Sequence, residues 1–431
     1  MINPLPYLSK NEKNVFYNIV IVFLLFYIVR IGIDLYLMVD SYEYLDVAKA
    51  IRENLYFNGY GSRDNNFTRR PLIYPLFLSL LLNLKYGAII FIQMVIVLLS
   101  IFNLFIIAKK KGLIIDHKLA LFIILTPSIF YYSHVVLADW IVFCLLNLLF
   151  YILLFGWSKK IFMAIQITSL FLAFTKPVFY PFIYINFIFF CIYLIKIKTF
   201  SLWLFIPLIV LQLFLNFNQK KTGVRSFSSI ENYNLCYNIA SFKMNSGSSD
   251  EEAWTWFNET IRESKKEATF KMESDYLRNI ALTEIKNSWF KYSIYHAVTA
   301  IRGIIDPGIF DFKIFYKKNE PGIQYVKDLI SFKLTPLQAI NNKYLIFVIL
   351  FIPITIANLI KYFFLFWFMF KSKHSLASIY LLLIIFYYVF ITGAVNSTKY
   401  MMPLQGVVIL FALLGLQNFR KRNEIKRNIN V

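Results

Sequence analysis

The chain has 431 residues, 58% of them hydrophobic and only 16% charged, with 45 Lys and Arg against 24 Asp and Glu and a formal net charge of +21. A soluble domain carries about a quarter charged residues, so an ordinary water-soluble enzyme is excluded. Nucleic acid is not the implied partner either, because the basic residues fall in short tracts at the ends of apolar runs: Lys109–Lys111, Lys159–Lys160, Lys196 with Lys198, Lys371 with Lys373, and Arg420–Arg422.

A membrane-spanning helix needs roughly 20 apolar residues, and runs approaching that length recur along the chain. With Lys10 and Lys13 placed in the cytoplasm, span one covers about 15–38 and leads into a first outer loop, 39–71. An apolar helix starts at Pro71, and span two (about 88–108) returns to Lys109. Spans three (about 119–134) and four (about 140–157) go out and back to Lys159. Spans five (about 161–175) and six (about 178–195) return to Lys196, and span seven (about 199–217) goes out. Residues 218–342 are polar, with apolar positions at helical spacing. Span eight (about 344–370) returns to Lys371, nine (about 375–394) goes out, and ten (about 401–418) ends at Arg420.

Every inside turn is then basic, as the positive-inside rule requires. The expected fold is an all-α polytopic membrane protein of about ten transmembrane helices. It divides into an N-terminal transmembrane region (1–217), an extracytoplasmic helical module (218–342) and a C-terminal transmembrane region (343–431), with both termini cytoplasmic. The first apolar run is too long for a signal-peptide core and lacks a small-residue cleavage site. Cys144, Cys191 and Cys236 show neither disulfide nor metal spacing. Asn66, Asn258 and Asn396 begin Asn-x-Thr sequons, which chance explains as well as glycosylation does.

Ionisable groups at membrane depth are costly and tend to be paired or functional. Arg30 and Asp34 stand four apart and read as a pair on one helix face. Asp40 lies where span one meets the outer surface, Glu43 follows three residues later, and Leu45, Ala48, Ile51 and Leu55 continue an apolar stripe. That pattern is an amphipathic helix lying at the interface. Asp40 or Ser41 also reads as a helix N-cap, with Glu43 near the acid position of a capping box. Asp139 is the only acid between Asp116 and Glu231 and opens span four, where the helix dipole alone would favour it. Arg69, Arg70, Lys176 and Lys399 are placed on the same outer face. Singly each reads as a snorkelling side chain, and together they suit an anionic headgroup such as a phosphate.

Several segments, in order, resemble the class C, polyprenyl-phosphate-sugar-dependent glycosyltransferases, which include protein mannosyltransferases and the bacterial aminoarabinose transferases that modify lipid A. DSYEYLDVAKAI is similar to the family's first outer loop, and RPLIYPLFLSLL to its Arg-Pro, Tyr-Pro entry into the next helix. PSIFYYSHVVLADWIVFCLLNLL resembles the third-to-fourth span, and FLAFTKPVFYPF a later segment with a cation before Pro. IKNSWFKYSIYHAVTAIRGIIDPG and STKYMMPLQGVVILFALLGL resemble the outer-loop helix before the last spans and the closing span. The chain departs from the family where Ser41 rather than a second acid follows Asp40, where Lys176 replaces Arg, and where Asp139 replaces Glu.

The resemblance implies a bacterial cell-membrane enzyme with its active site on the outer (periplasmic or extracellular) face. It would move a sugar from a polyprenyl-phosphate donor to a hydroxyl acceptor on a lipid, glycan or protein, with inversion. Asp40 would be general base, Asp139 and Glu43 would position the acceptor, and Arg69, Arg70, Lys176 and Lys399 would hold the donor phosphate. Tyr44, Tyr74 and Tyr400 would contact substrate. Asp40 and Asp139 would also be the candidates for holding a divalent cation, magnesium or manganese, the hard ions that oxygen ligands suit. A polyprenyl-pyrophosphate-linked glycan polymerase or ligase, relying on loop arginines such as Arg278 and Arg302, is a second reading. A transporter or flippase, which would place its ionisable groups near mid-membrane, is a third.

Overall fold

The computed structural model describes residues 8–33, 36–58, 68–308, 335, 338, 345–372, 374–395 and 398–429. Asp34, Asn66, Lys373, Asn396 and most of 309–344 lie outside the described residues, and with them the expected Arg30–Asp34 pair. Every regular element among the described residues is helical.

The chain begins with α1 (Lys10–Ile33), α2 (Val39–Arg52), α3 (Leu55–Asn58), α4 (Ile73–Ser79) and α5 (Tyr86–Lys110). Next come α6 (His117–Ile124), α7 (Pro127–Ser133), α8 (Asp139–Leu153), α9 (Lys159–Thr175), α10 (Tyr180–Lys196) and α11 (Ile206–Thr222). The polar segment folds as α12 (Glu231–Asn245), α13 (Asp250–Ser264), α14 (Phe270–Asn287) and α15 (Trp289–Ile305). The closing helices are α16 (Leu345–Lys371), α17 (Leu376–Thr392), the short α18 (Thr398–Met401) and α19 (Gln405–Ile429).

Among the described residues six stretches are long and apolar enough to cross a bilayer: Lys10–Gly32, Tyr86–Lys110, Pro177–Lys196, Leu202–Thr222, Phe351–Lys371 and Thr398–Glu424. α8 and α17 are apolar but shorter. The expected third span is not one helix. Pro127 lacks an N–H and disfavours helical backbone at the residue before it, so the run breaks into α6 and α7 at Thr126, whose hydroxyl donates to the Phe122 carbonyl at 2.6 Å. The helix expected from Pro71 is only the seven-residue α4.

α19 is the most enclosed of the six, with 78% of its apolar window buried against 22% for the peripheral α1. Between bilayer helices no hydrophobic force drives association, so close backbone approach and side-chain hydrogen bonds must do it. Both are present. A Cβ built on Gly415 of α19 would lie 2.0 Å from the Phe364 carbonyl oxygen of α16, so only glycine admits this crossing. Phe368 and Phe411 stack beside it, ring centroids 4.8 Å apart. Asn147 of α8 donates to the Ser100 hydroxyl of α5 at 2.9 Å, and the Tyr380 hydroxyl donates to Asn186, tying α17 to α10 at 2.6 Å.

The polar module has its own core of Cys236, Ile239, Ala240, Phe257, Leu277 and Ala281. α13 starts with a capping box, as its sequence SDEE suggests: Ser249 accepts from the Glu252 N–H at 3.1 Å and Glu252 accepts from the Ser249 N–H at 2.8 Å. Asn258 sits on the exposed side of that helix. Hydrogen bonds on two sides fasten the module to the bundle. The Tyr295 hydroxyl donates to the Ala394 carbonyl at 3.2 Å. On the other side, the Ser229 N–H donates to the Thr68 carbonyl at 3.2 Å and the Ser228 hydroxyl to the Arg69 carbonyl at 2.6 Å.

Candidate active site

α2 begins at Val39, two residues earlier than a cap at Asp40 would require, with Met38 as its N-cap in place of the expected Asp40 or Ser41. Its N-terminus is closed by Ser41, whose hydroxyl accepts the Met38 N–H at 2.9 Å. Asp40, in the first turn, is therefore left free for partners outside the helix. Its Oδ1 accepts from Arg70 Nη2 at 2.8 Å and its Oδ2 from Lys399 Nζ. Glu43, three residues along the same face, accepts from Arg70 Nε at 2.7 Å and from Arg69 Nη1 at 3.1 Å. Arg70 thus bridges Asp40 and Glu43, using two nitrogens of its planar fork. The Ser228 and Ser229 bonds to the backbone of Arg69 and Thr68 hold this arginine pair in register.

The second carboxylate site lies within the helical bundle. Asp139, 2% exposed at the start of α8, accepts from Lys176 Nζ at 2.5 Å. Lys176 follows the C-terminus of α9, where Pro177 ends the helix. It also donates to the Tyr388 hydroxyl at 3.2 Å.

Tyr400 joins the two sites. Its ring centroid lies 4.5 Å from Lys176 Nζ and 5.8 Å from Lys399 Nζ, both within cation–π range. Tyr44 lies on the other side, its ring 5.0 Å from the Arg70 guanidinium and 5.0 Å from the ring of Tyr74. Asp40, Glu43, Asp139, Arg69, Arg70, Lys176, Lys399, Tyr44 and Tyr400 therefore form one connected cluster. Tyr74 is different: it is fully buried, and its hydroxyl donates to Gln93 at 2.8 Å, so it supports Tyr44 from behind.

The electrostatics of Asp40 follow from this setting. Burial pushes its carboxyl up, but the charges of Lys399 and Arg70 and their hydrogen bonds outweigh burial and hold it well below the usual carboxylate range. Four cations face three carboxylates, so the cluster keeps one excess positive charge. Each of the expected phosphate-binding cations already holds a carboxylate, and an arriving anion must share or take over those contacts.

A divalent ion at Asp40 or Asp139 would have to displace the cations these carboxylates already hold. Both oxygens of Asp40 and one of Asp139 carry ammonium or guanidinium hydrogen bonds, and hard cations need about six oxygen ligands. Among the described residues, no group of three or more His, Cys, Asp and Glu side chains gathers where a metal could sit.

Three features escaped the sequence reading. Tyr388 had no signal beyond its place in an apolar run. Tyr233 and Tyr237 of α12, one turn apart, reach toward the cluster: Tyr233 lies under the Arg69 guanidinium at 5.6 Å, and burial followed by Tyr400, Tyr233 and Asp40 pushes the Tyr237 hydroxyl up. Lys361 is fully buried on α16 and donates to Thr126 at 2.6 Å and Gln405 at 3.1 Å, with no carboxylate partner among the described residues. As the only charged residue inside the run 345–370, it was visible in the sequence. His134 is buried, its Nδ1 2.6 Å from the Phe130 carbonyl, and plays a packing role. Arg278 and Arg302 are exposed on α14 and α15 and make no ion pair with the cluster.

Comparison with family models, with curated proteins and with solved structures finds no match to this chain.

Proposed function

We propose that the protein is a membrane glycosyltransferase that moves a sugar from a polyprenyl-phosphate donor to a hydroxyl acceptor, with inversion, at the outer face of a bacterial cell membrane. The reading takes the chain as crossing the membrane about ten times: the six long helices, the shorter α8, α9 and α17, and the α6–α7 pair together. Both termini are then cytoplasmic, and the cluster around Asp40 faces outward under the α12–α15 module.

What carries the reading is the meeting of Asp40 with Arg70 and Lys399 beside the Asp139–Lys176 pair. A lipid-phosphate sugar needs cations for its phosphate and a carboxylate beside the anomeric carbon. In the proposed reaction the acceptor oxygen forms a bond to the anomeric carbon, its proton passes to Asp40, and the carbon–oxygen bond to the phosphate breaks. The polyprenyl phosphate leaves with the electron pair. Arg70, Lys176 and Lys399 stabilise the charge that grows on it, a preorganised electrostatic contribution.

The ion pairs of Asp40 add a coupling. A carboxylate held by two cations is a weak base. Donor phosphate competing for Lys399 and Arg70 loosens their grip on Asp40 and strengthens it as a base, so the base is switched on by the donor it serves. The test is an Asp40→Asn variant, purified with wild-type elution and melting, assayed with a labelled polyprenyl-phosphate sugar. Full transfer activity in that variant removes Asp40 as the base.

A further inference from the structure

A second feature lies on the other face of α2. Asp40 and Glu43 turn toward the cluster, whereas Leu45, Lys49 and Arg52 line a groove of 920 Å³ between α1, α2 and the start of α5. That volume is at the upper end for small-molecule sites. The walls are apolar, with Ile31 and Phe91 each nearly half exposed on the outer side of the bundle. The groove therefore opens sideways, where lipid would lie. None of the residues of the Asp40–Asp139 cluster lines it.

Its polar lining is one-sided. Lys49 and Arg52 stand three residues apart on α2, and Lys85 precedes the first turn of α5. Arg52 is fixed at the rim by a 2.7 Å hydrogen bond from its Nη1 to Asn83. Among the described residues no acid lines the groove, and neither Asp46 on α2 nor Glu53 just after it forms an ion pair with any of the three cations. An apolar trough with three cations at its mouth complements a molecule with an anionic head and a hydrocarbon chain.

We infer that this groove is a binding site for an anionic phospholipid of the surrounding bilayer, with its phosphate at Lys49, Arg52 and Lys85 and an acyl chain between α1 and α5. A sugar donor has to present its phosphate to Arg70 and Lys399, and the groove shares no residue with them, so the occupant is a resident lipid and not the donor. The groove and its cations stand whatever reaction Asp40 serves. Bound there, the lipid would brace α2 from the side opposite Asp40.

The full chain in neutral detergent is titrated with phosphatidylglycerol and with phosphatidylcholine, and bound copies are counted by native mass spectrometry. One tightly held phosphatidylglycerol is expected, with phosphatidylcholine weaker. The triple variant K49Q/R52Q/K85Q is expected to lose roughly a hundredfold in phosphatidylglycerol affinity, about fivefold for each basic residue. Ala88→Phe, which fills the trough and keeps the cations, is expected to lose the lipid too. Equal retention by the wild type and both variants overturns the site. Polyprenyl phosphate that binds the groove more tightly than phosphatidylglycerol, and is lost with the same variants, overturns the phospholipid assignment.

Discussion

Lys176, which follows α9, and Lys399, in α18, are distant in the sequence and approach the same aromatic ring, that of Tyr400, at 4.5 and 5.8 Å. Two like charges this close are held only because each has its own carboxylate, Asp139 for one and Asp40 for the other. The ring's negative face adds a smaller attraction to both. The pairing sets what each substitution will do.

Replacing Asp40 by Asn removes the proposed base and leaves Lys399 and Arg70 with a neutral partner. Transfer from a labelled polyprenyl-phosphate sugar should fall about 10²–10⁴-fold, the usual contribution of a positioned general base. Glu43→Gln should cost less, because Glu43 meets Arg69 and Arg70 and does not touch Lys399.

Asp139→Ala leaves the Lys176 ammonium buried without its counter-charge. Breaking a buried pair from one side costs about 3–5 kcal/mol, so a large drop in the melting temperature in detergent is expected. The double variant Asp139→Leu with Lys176→Met removes both charges and should recover most of it. Equal melting of the single and double variants would show that the pair is not what holds α8 to α9.

The pH dependence has a definite sign. The carboxyl of Asp40 is depressed in the folded protein, so its ion pairs contribute stability that is fully present above the unfolded carboxylate pKa of about 3.9 and lost only as the pH falls through the lower folded value. The acid limb of kcat/KM, which reports on the free enzyme, should therefore show no fall from Asp40 between about pH 5 and 8. Lys399→Met removes one of the depressing charges and should move that limb upward. An unmoved limb would mean that Lys399 does not govern Asp40.

Gly415→Ala is the test of the bundle itself. Its new Cβ would meet the Phe364 backbone carbonyl at 2.0 Å, and backbone cannot swing aside. A loss of about 1–3 kcal/mol, as for overpacked cores, should appear as a lower unfolding midpoint. Gly406→Ala, whose clash is with the Asn147 side chain, should be milder unless Asn147 cannot rotate away from Ser100.

Charge at the ends of apolar runs was what the sequence made legible. Asp40, Asp139, Arg70, Lys176 and Lys399 could each be singled out because an ion at a membrane boundary has few innocent reasons to be there. Which cation takes which carboxylate could not be read, since Asp40 and Lys399 are 359 positions apart and only the tertiary fold brings them together. Capping misled for a local reason: Asp40 and Ser41 are both good caps, but the helix starts at Val39 with Met38 as its N-cap, and Ser41 closes it from the third helical position, so the carboxylate is not spent on its own helix. The break at Pro127 was legible and went unread, because hydropathy averages over a proline that backbone geometry does not. Tyr388 and the Tyr233–Tyr237 pair face the cluster only through tertiary packing.

The 359 positions that separate Lys399 from Asp40 also bear on biogenesis. As the polypeptide emerges, Asp40 and Arg70 are made early, while the ammonium that completes their arrangement arrives only with the last helices. Until then Asp40 has Arg70 alone, and the cluster proposed as the active site is incomplete. Chains truncated before α18 should insert and yet lack the proposed transfer activity, which ties competence to the synthesis of Lys399.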